Sequence, residues 1–205
     1  MAWLIEYIET LGERPAIVDR YGAFTYAQLS TAIEGFYQQI EGSIQEGEVV
    51  ALLADYNYYS VALLLALLKR KAIIVPIVTQ NDQEVDLRIK AAACDHLLKL
   101  NKEDLSCRKV TRGSDRHPLV AKLIDQRHAG LVLFSSGSTG EPKAMIHDFD
   151  HLVDSFAGKR AKSLTLLVFL LFDHIGGEHF VQHAGNGGSA GSAREPQTRL
   201  YRGPY

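Results

Sequence analysis

The sequence predicts an α/β fold: a parallel βαβαβ sheet with flanking helices, followed by a hairpin whose tip is rich in glycine and hydroxyl residues. Two observations predict it. Between Gly47 and Leu100, short apolar runs alternate with longer helical patterns, the order that builds parallel strands joined by right-handed crossovers. Farther on, Leu131 to Phe134 and Lys143 to His147 are two more strand-like runs, separated by a Ser- and Gly-rich stretch.

Trp3, Leu4, Tyr7, Ile8 and Leu11 recur at helical spacing with Glu6 and Glu9 on the other side, so the chain opens with an amphipathic helix that Gly12 stops. Ala16 to Val18 and Ala23 to Phe24 read as a small hairpin turning at Tyr21-Gly22. Thr25 and Gln28 have capping-box spacing and start a helix reaching about Ile40, with Leu29, Ile33, Phe36 and Ile40 as its buried stripe. Then come a strand at Val49 to Ala54, a helix at Asn57 to Arg70 apolar nearly all round, and a strand at Ala72 to Val78. A helix at Asp82 to Ala93 and a strand at His96 to Leu100 complete the unit.

Tyr56, Asn57, Tyr58 and Tyr59 stand where an open sheet binds ligands, but a helix cap with a packing shelf is the commoner use of such residues. Asn101 to Pro118 is polar with charges of both signs and reads as a surface connection. Either Asp148 or Asp150 caps a helix over His151 to Phe156. His147 and His151 straddle a strand-to-helix junction and share no helix face, which disfavours a metal site. Leu164 to Phe172 reads as a buried strand ending in Asp173-His174. Neighbours in an extended chain point to opposite faces, so these two cannot form a relay with each other.

The 205 residues allow one sizeable core, or one domain with an appendage, and 46% apolar with 22% charged residues is ordinary for a globular protein. A net charge of −2 gives no reason to expect nucleic acid. The opening MAWLIEYIETL is acidic, unlike a secretory signal, and the runs Val61 to Leu68 and Leu164 to Phe172 are too short for a membrane span. Cys94 and Cys107 lack paired metal-ligand spacing. A reduced, cytoplasmic setting is the expectation.

Chemistry concentrates in Ser135, Ser136, Gly137, Ser138, Thr139, Gly140, Glu141, Pro142 and Lys143. Glycines let backbone N–H groups turn toward an anion, small hydroxyls add donors, and lysine brings a mobile positive charge. Composition alone leaves open a Ser/Gly surface loop without a ligand. A Walker loop, and with it an unrelated P-loop phosphotransferase, is disfavoured: Glu141-Pro142 intervenes before Lys143, and Ala144 to His147 suits a strand.

In residue order, Ser-Ser-Gly-Ser-Thr-Gly-x-Pro-Lys resembles the phosphate-loop signature of the adenylate-forming (AMP-binding) superfamily, which includes acyl-CoA synthetases, peptide-synthetase adenylation domains and luciferases. Pro15-Ala16-Ile17, Thr25-Tyr26-x-x-Leu29, Gly47 to Leu52 and Leu63 to Pro76 are similar to the family's opening elements. Phe172-x-His174-Ile175-Gly176-Gly177 is similar to the segment whose histidine borders the acyl-substrate tunnel. One departure is Arg70-Lys71-Ala72, where family members usually have glycine before the alanine.

The resemblance implies that residues 1–177 are the N-terminal part of an AMP-binding domain, incomplete relative to the family. The family's adenine-binding, ribose-binding and C-terminal catalytic-lysine motifs are not found after Gly177. Residues 178–205, rich in Gly, Ala, Ser and Arg without a hydrophobic period, read as an irregular or disordered tail. An out-of-frame translation would explain the abrupt change, and the other two reading frames beyond the Gly177 codon test that.

The implied chemistry is attack of a carboxylic acid on the α-phosphorus of ATP, giving an acyl-adenylate and pyrophosphate, then transfer to coenzyme A or another thiol. Ser135, Ser136, Gly137, Ser138, Thr139, Gly140 and Lys143 would hold the phosphates, with Lys143 and Thr139 as the catalytic pair. Thr139 would stand near Mg²⁺, and His174 would lie beside the acid. The chain by itself is expected to be weak or inactive. The alternative is a non-catalytic fragment or binding module that needs a partner for the missing half.

Overall fold

The computed structural model describes residues 2–112, 115–135 and 143–159. Helix α1 (Ala2–Thr10) leads into an antiparallel pair, β1 (Pro15–Asp19) and β2 (Gly22–Thr25). Helix α2 (Tyr26–Ile40) begins at the expected capping box. The Gln28 N–H donates to the Thr25 side chain, the Thr25 N–H donates to the Gln28 side chain, and Leu29, Ile33, Phe36 and Ile40 are buried.

The main sheet is mixed. In chain order it uses β3 (Val49–Leu53), β4 (Ile73–Ile77), β5 (His96–Asn101), β6 (Asp104–Lys109), β7 (Gly130–Ser135) and β8 (Lys143–Asp148), arranged in space as β6-β5-β3-β4-β7-β8. The four central strands are parallel, as the βαβαβ order requires, and an antiparallel hairpin closes each edge. β6 corrects the reading of 101–118 as a plain connection. Its sequence DLSCRK is exposed except at half-buried Leu105, so this strand is made by pairing with β5 and not by burial.

Helices cover both faces. On one, α1, α2 and α3 (Tyr58–Lys69) pack over Val50, Leu52, Ile74, Leu98, Leu131 and Leu133. On the other, α4 (Asp82–Ala91) and α5 (Pro118–Asp125) contribute Val85, Ile89, Val120 and Leu123 against Val49, Ala51, Ile73, Val75 and Val132. The period-2 alternation of each strand thus serves two cores. α3 is buried from Ser60 to Leu68, consistent with a sequence apolar nearly all round.

The run Tyr56–Tyr59 resolves as cap and shelf. Asn57 caps α3 reciprocally with Ser60, Tyr58 stacks on Phe24 at 3.7 Å between ring centroids, and the Tyr58 hydroxyl donates to the Gln28 carbonyl at 2.7 Å. Asp19 accepts the Tyr58 N–H at 2.6 Å and so pins the small hairpin to the first turn of α3.

The Arg70-Lys71-Ala72 departure has a backbone explanation. Lys71 has φ +59°, the left-handed region in which glycine carries no Cβ penalty and other residues lose about 1 kcal/mol. Here a side chain at this position is put to use. Lys71 Nζ reaches Asp150 at 2.5 Å, and Arg70 beside it donates from Nε to the Ile44 carbonyl at 2.8 Å.

Gly130, at the start of β7, has no room for a side chain. A Cβ there would stand 2.9 Å from Leu123 Cδ1 and 3.1 Å from Ile73 Cγ2. Gly130→Ala is expected to cost about 1–3 kcal/mol through this overpacking, read as a lower urea midpoint at unchanged slope. A variant as stable as the parent would show that the α5–β4 contact opens freely.

Candidate functional site

The parallel register of β4 with β7 (Ile73 beside Gly130, Ile74 beside Leu131) brings the carboxyl end of β7 to the same end of the sheet as those of β3 and β4. Open α/β sheets bind ligands at this end. β7 and β8 then pair antiparallel from Gly130 opposite Asp148 to Ser135 opposite Lys143. The two expected strands are therefore present and paired with each other. Ser135 and Lys143 are the last pair of the ladder, and 136–142 join them.

Of the residues expected to hold phosphates, the structure brings Ser135 and Lys143 directly opposite each other. Ser136, Gly137, Ser138, Thr139, Gly140 and His174 lie outside the described residues, as do the expected strand Leu164 to Phe172 and residues 178–205.

The root of this hairpin is held by two carboxylates that sequence reasoning offered only as alternative caps. Asp148 is the cap of α6 (Phe149–Asp154), accepting the His151 N–H at 2.9 Å, and its other oxygen stands 2.8 Å from His128 Nδ1. Asp150 is buried. It accepts the Ala129 N–H at 2.7 Å and pairs with Lys71. Burial pushes the Asp150 carboxyl upward and is the largest single influence, but Lys71 and the Ala129 amide together hold it below the usual carboxylate range.

Phe149, 1% exposed, sits between the two aspartates and donates its N–H to the Ala129 carbonyl at 2.9 Å. His128 and Ala129 immediately precede β7, and Asp148 ends β8. The two legs of the hairpin are thus tied together at the end opposite the 136–142 connection. An Asp-x-Asp after an apolar strand was the available signal, but nothing in it says that one carboxylate caps the helix while the other turns inward.

Near the upper end of β7, the Arg88 guanidinium from α4 lies 5.6 Å from the Phe134 ring centroid and pairs with Glu84 at 2.6 Å. A cavity of about 580 Å³ lies elsewhere: Phe24, Gln28, Thr31, Gly35, Tyr58 and Tyr59 line it, and no β7 or β8 residue does. Among the described residues no group of three or more His, Cys, Asp or Glu is arranged to hold a metal, and His147 and His151 do not come together as one. Nor is any described helix long and apolar enough to cross a membrane.

The family model described as "AMP-binding enzyme" matches residues 6–199. Nonribosomal peptide synthetase 32 of Fusarium pseudograminearum is 25% identical over a 174-residue alignment that covers 74% of this chain and 2% of the synthetase. Among solved structures, the chain is similar to the N-terminal subdomain of Klebsiella oxytoca NpsA in complex with 3-hydroxybenzoyl-AMSN. The TM-score is 0.68 at 18% identity, over 93% of this chain and 54% of that one. It is also similar to the inhibitor-bound N-terminal domain of FACL13 from Mycobacterium tuberculosis, with a TM-score of 0.67 at 19% identity, over 90% of this chain and 55% of that one. These likenesses bear on the fold. The chain spans about half the length of those structures and a small part of the synthetase.

Proposed function

Because the chain belongs to the AMP-binding enzyme family, we propose that its β7–β8 connection grips the phosphates of ATP during activation of a carboxylic acid to an acyl-adenylate. The observation that carries this reading is the antiparallel pairing of Ser135 with Lys143 at the carboxyl end of the sheet, with Ser136 to Pro142 as the connection between them.

In this reading the backbone N–H groups and hydroxyls of Ser135, Ser136, Gly137, Ser138, Thr139 and Gly140 hold the β- and γ-phosphates, and Lys143 offsets charge that builds on departing pyrophosphate. Hydroxyl and phosphate oxygens are the hard donors Mg²⁺ takes, so Thr139 fits that ion as a single protein ligand beside the nucleotide. Mg²⁺ would neutralise phosphate charge. His174 borders the acid, and coenzyme A or another thiol accepts the acyl group in an acyl-CoA synthetase-like second step. A cytoplasmic, reducing setting suits a thiol acceptor.

The 205-residue chain by itself is proposed to exchange pyrophosphate weakly or not at all, since the adenine, ribose and catalytic-lysine motifs are not found in it. A second reading rests on the same share of length: a fragment or binding module that acts with a partner supplying the remaining half. Labelling lysines with an acylating reagent, with and without Mg²⁺ and ATP, tests the phosphate site itself. ATP is expected to slow Lys143 labelling several-fold while leaving Lys99 and Lys109 unchanged. Equal labelling of Lys143 with and without nucleotide would remove the phosphate grip. Clear pyrophosphate exchange over a panel of carboxylic acids would instead overturn the proposed weakness of the chain.

A further inference from the structure

At the sheet edge remote from the β7–β8 hairpin, three neighbouring strands bring a thiol, an imidazole and a carboxylate into a row. In the β5–β6 ladder Leu98 stands opposite Cys107 and His96 opposite Lys109, so Cys107 is the diagonal neighbour of His96 on the same face. In the parallel β3–β5 pair His96 stands beside Val50, and Glu48, two residues earlier, falls on that face too.

The distances follow from this register. Cys107 Sγ is 3.7 Å from His96 Nδ1, and His96 Nε2 is 3.2 Å from a Glu48 carboxylate oxygen. That same Glu48 oxygen accepts the Gln45 N–H at 2.7 Å, so the carboxylate is held before it meets the ring. His96 is 5% exposed, whereas Cys107 is exposed. A reagent can therefore reach the sulfur while the base behind it is shielded from water. These are the parts of an activated nucleophile: a thiol, a base within reach of it, and a carboxylate beside the base.

We propose that Cys107 is a thiol–disulfide exchange site, with His96, oriented by Glu48, taking the thiol proton as the sulfur attacks a low-molecular-weight disulfide. Burial first, and Glu48 second, hold the Cys107 thiol above its ordinary range, so it rests protonated and depends on a base. A carboxylate facing Nε2 favours the tautomer with hydrogen there and leaves Nδ1 free to accept. As the proton moves to Nδ1, a bond forms between Cys107 Sγ and the nearer sulfur, and the original S–S bond breaks. The departing thiolate then takes the proton from the imidazolium and leaves as a thiol. Cys107 sulfur is oxidised, the departing sulfur is reduced, and no further reactant is needed.

Cys94 supplies an internal control, because it is buried and burial pushes its thiol up to about 12. The test uses the full 205-residue chain with oxidised glutathione at pH 7, following each cysteine by peptide mass. Cys107 is expected to form the mixed disulfide at least tenfold faster than Cys94. Exposure alone could give that difference, so His96→Gln decides: it removes the base and leaves the thiol as exposed as before. It is expected to slow Cys107 about tenfold with Cys94 still protected, whereas Glu48→Gln also relieves the charge that holds the thiol up and is expected to slow Cys107 less. If His96→Gln unfolds the chain, Cys94 becomes reactive and reports it, and His96→Asn takes its place. Cys107 rates unchanged by His96 replacement in a chain that still protects Cys94, or Cys94 reacting as fast as Cys107 in the parent, would overturn the proposal.

Discussion

Replacing Asp150 with alanine is expected to lower the unfolding free energy by about 3 kcal/mol, because one buried carboxylate serves both the chain before β7 and the turn after α3. The contacts with Ala129 and Lys71 differ in cost when lost. The Ala129 N–H is wholly buried and would keep no acceptor at 2.7 Å, a loss of about 1–3 kcal/mol. The Lys71 side chain is 31% exposed, so its ammonium can return to water and its share is smaller. Asp150→Asn preserves shape and an acceptor while removing the charge, and is expected to cost about half as much. Urea unfolding of both variants measures this, and a D150A chain within about 0.5 kcal/mol of the parent would rule out the clamp.

Acid titration supplies the sign. The folded-state value of Asp150 is lowered, so its stabilisation is complete above the ordinary carboxylate range near pH 4 and disappears as pH falls through the lower folded value. The stability gap between the parent and Asp150→Asn should therefore be constant above about pH 5 and should shrink below about pH 4. A gap that grows on acidification would mean that Asp150 is held neutral instead. Within the same clamp, Lys71→Gly should cost less than Lys71→Met, since glycine recovers about 1 kcal/mol at φ +59° while both lose the ion pair.

Where sequence reading succeeded, one periodicity or cap was decisive within a short window. Thr25 and Gln28 marked the start of α2, Asn57 that of α3, and the apolar runs at 49–54 and 72–78 could only be strands covered on both faces. β6 escaped because Asp104, Ser106, Arg108 and Lys109 carry no buried period, and the strand exists only through its ladder with β5. α5 escaped for a related reason: its signals, His117 as cap and Pro118 in the first turn, lie inside a stretch whose polarity suggested a loop. The β7–β8 hairpin was legible in residue types, but the Lys71–Asp150 pair joins positions 79 apart, and only the placement of α6 against the start of β7 reveals it. Lys71 itself was visible as the residue standing where glycine is usual. Its left-handed backbone and its ion pair together account for that exchange.

Lys143→Met is expected to weaken binding of ATP by the full chain about tenfold to a hundredfold, with thermal stability close to that of the parent. The separation of these effects follows from position. Lys143 is the first residue of β8 and pairs through the backbone with Ser135, a ladder role that methionine fills equally well. What methionine cannot supply is a positive charge at the mouth of the connection. One unit charge about 4 Å from a phosphate oxygen contributes about 1 kcal/mol in water and about 4 kcal/mol at the lower effective dielectric of a protein surface. A loss between those limits corresponds to the stated range. Because the attraction is electrostatic, the parent's affinity should fall as salt rises from about 0.05 to 0.5 M, and the variant's should fall less. Lys143→Arg, which keeps charge but spreads it over a planar group, should restore part of the binding. Equal affinities of parent and Lys143→Met for ATP, or identical salt slopes, would place the phosphates away from the β7–β8 connection and withdraw the adenylation reading with them.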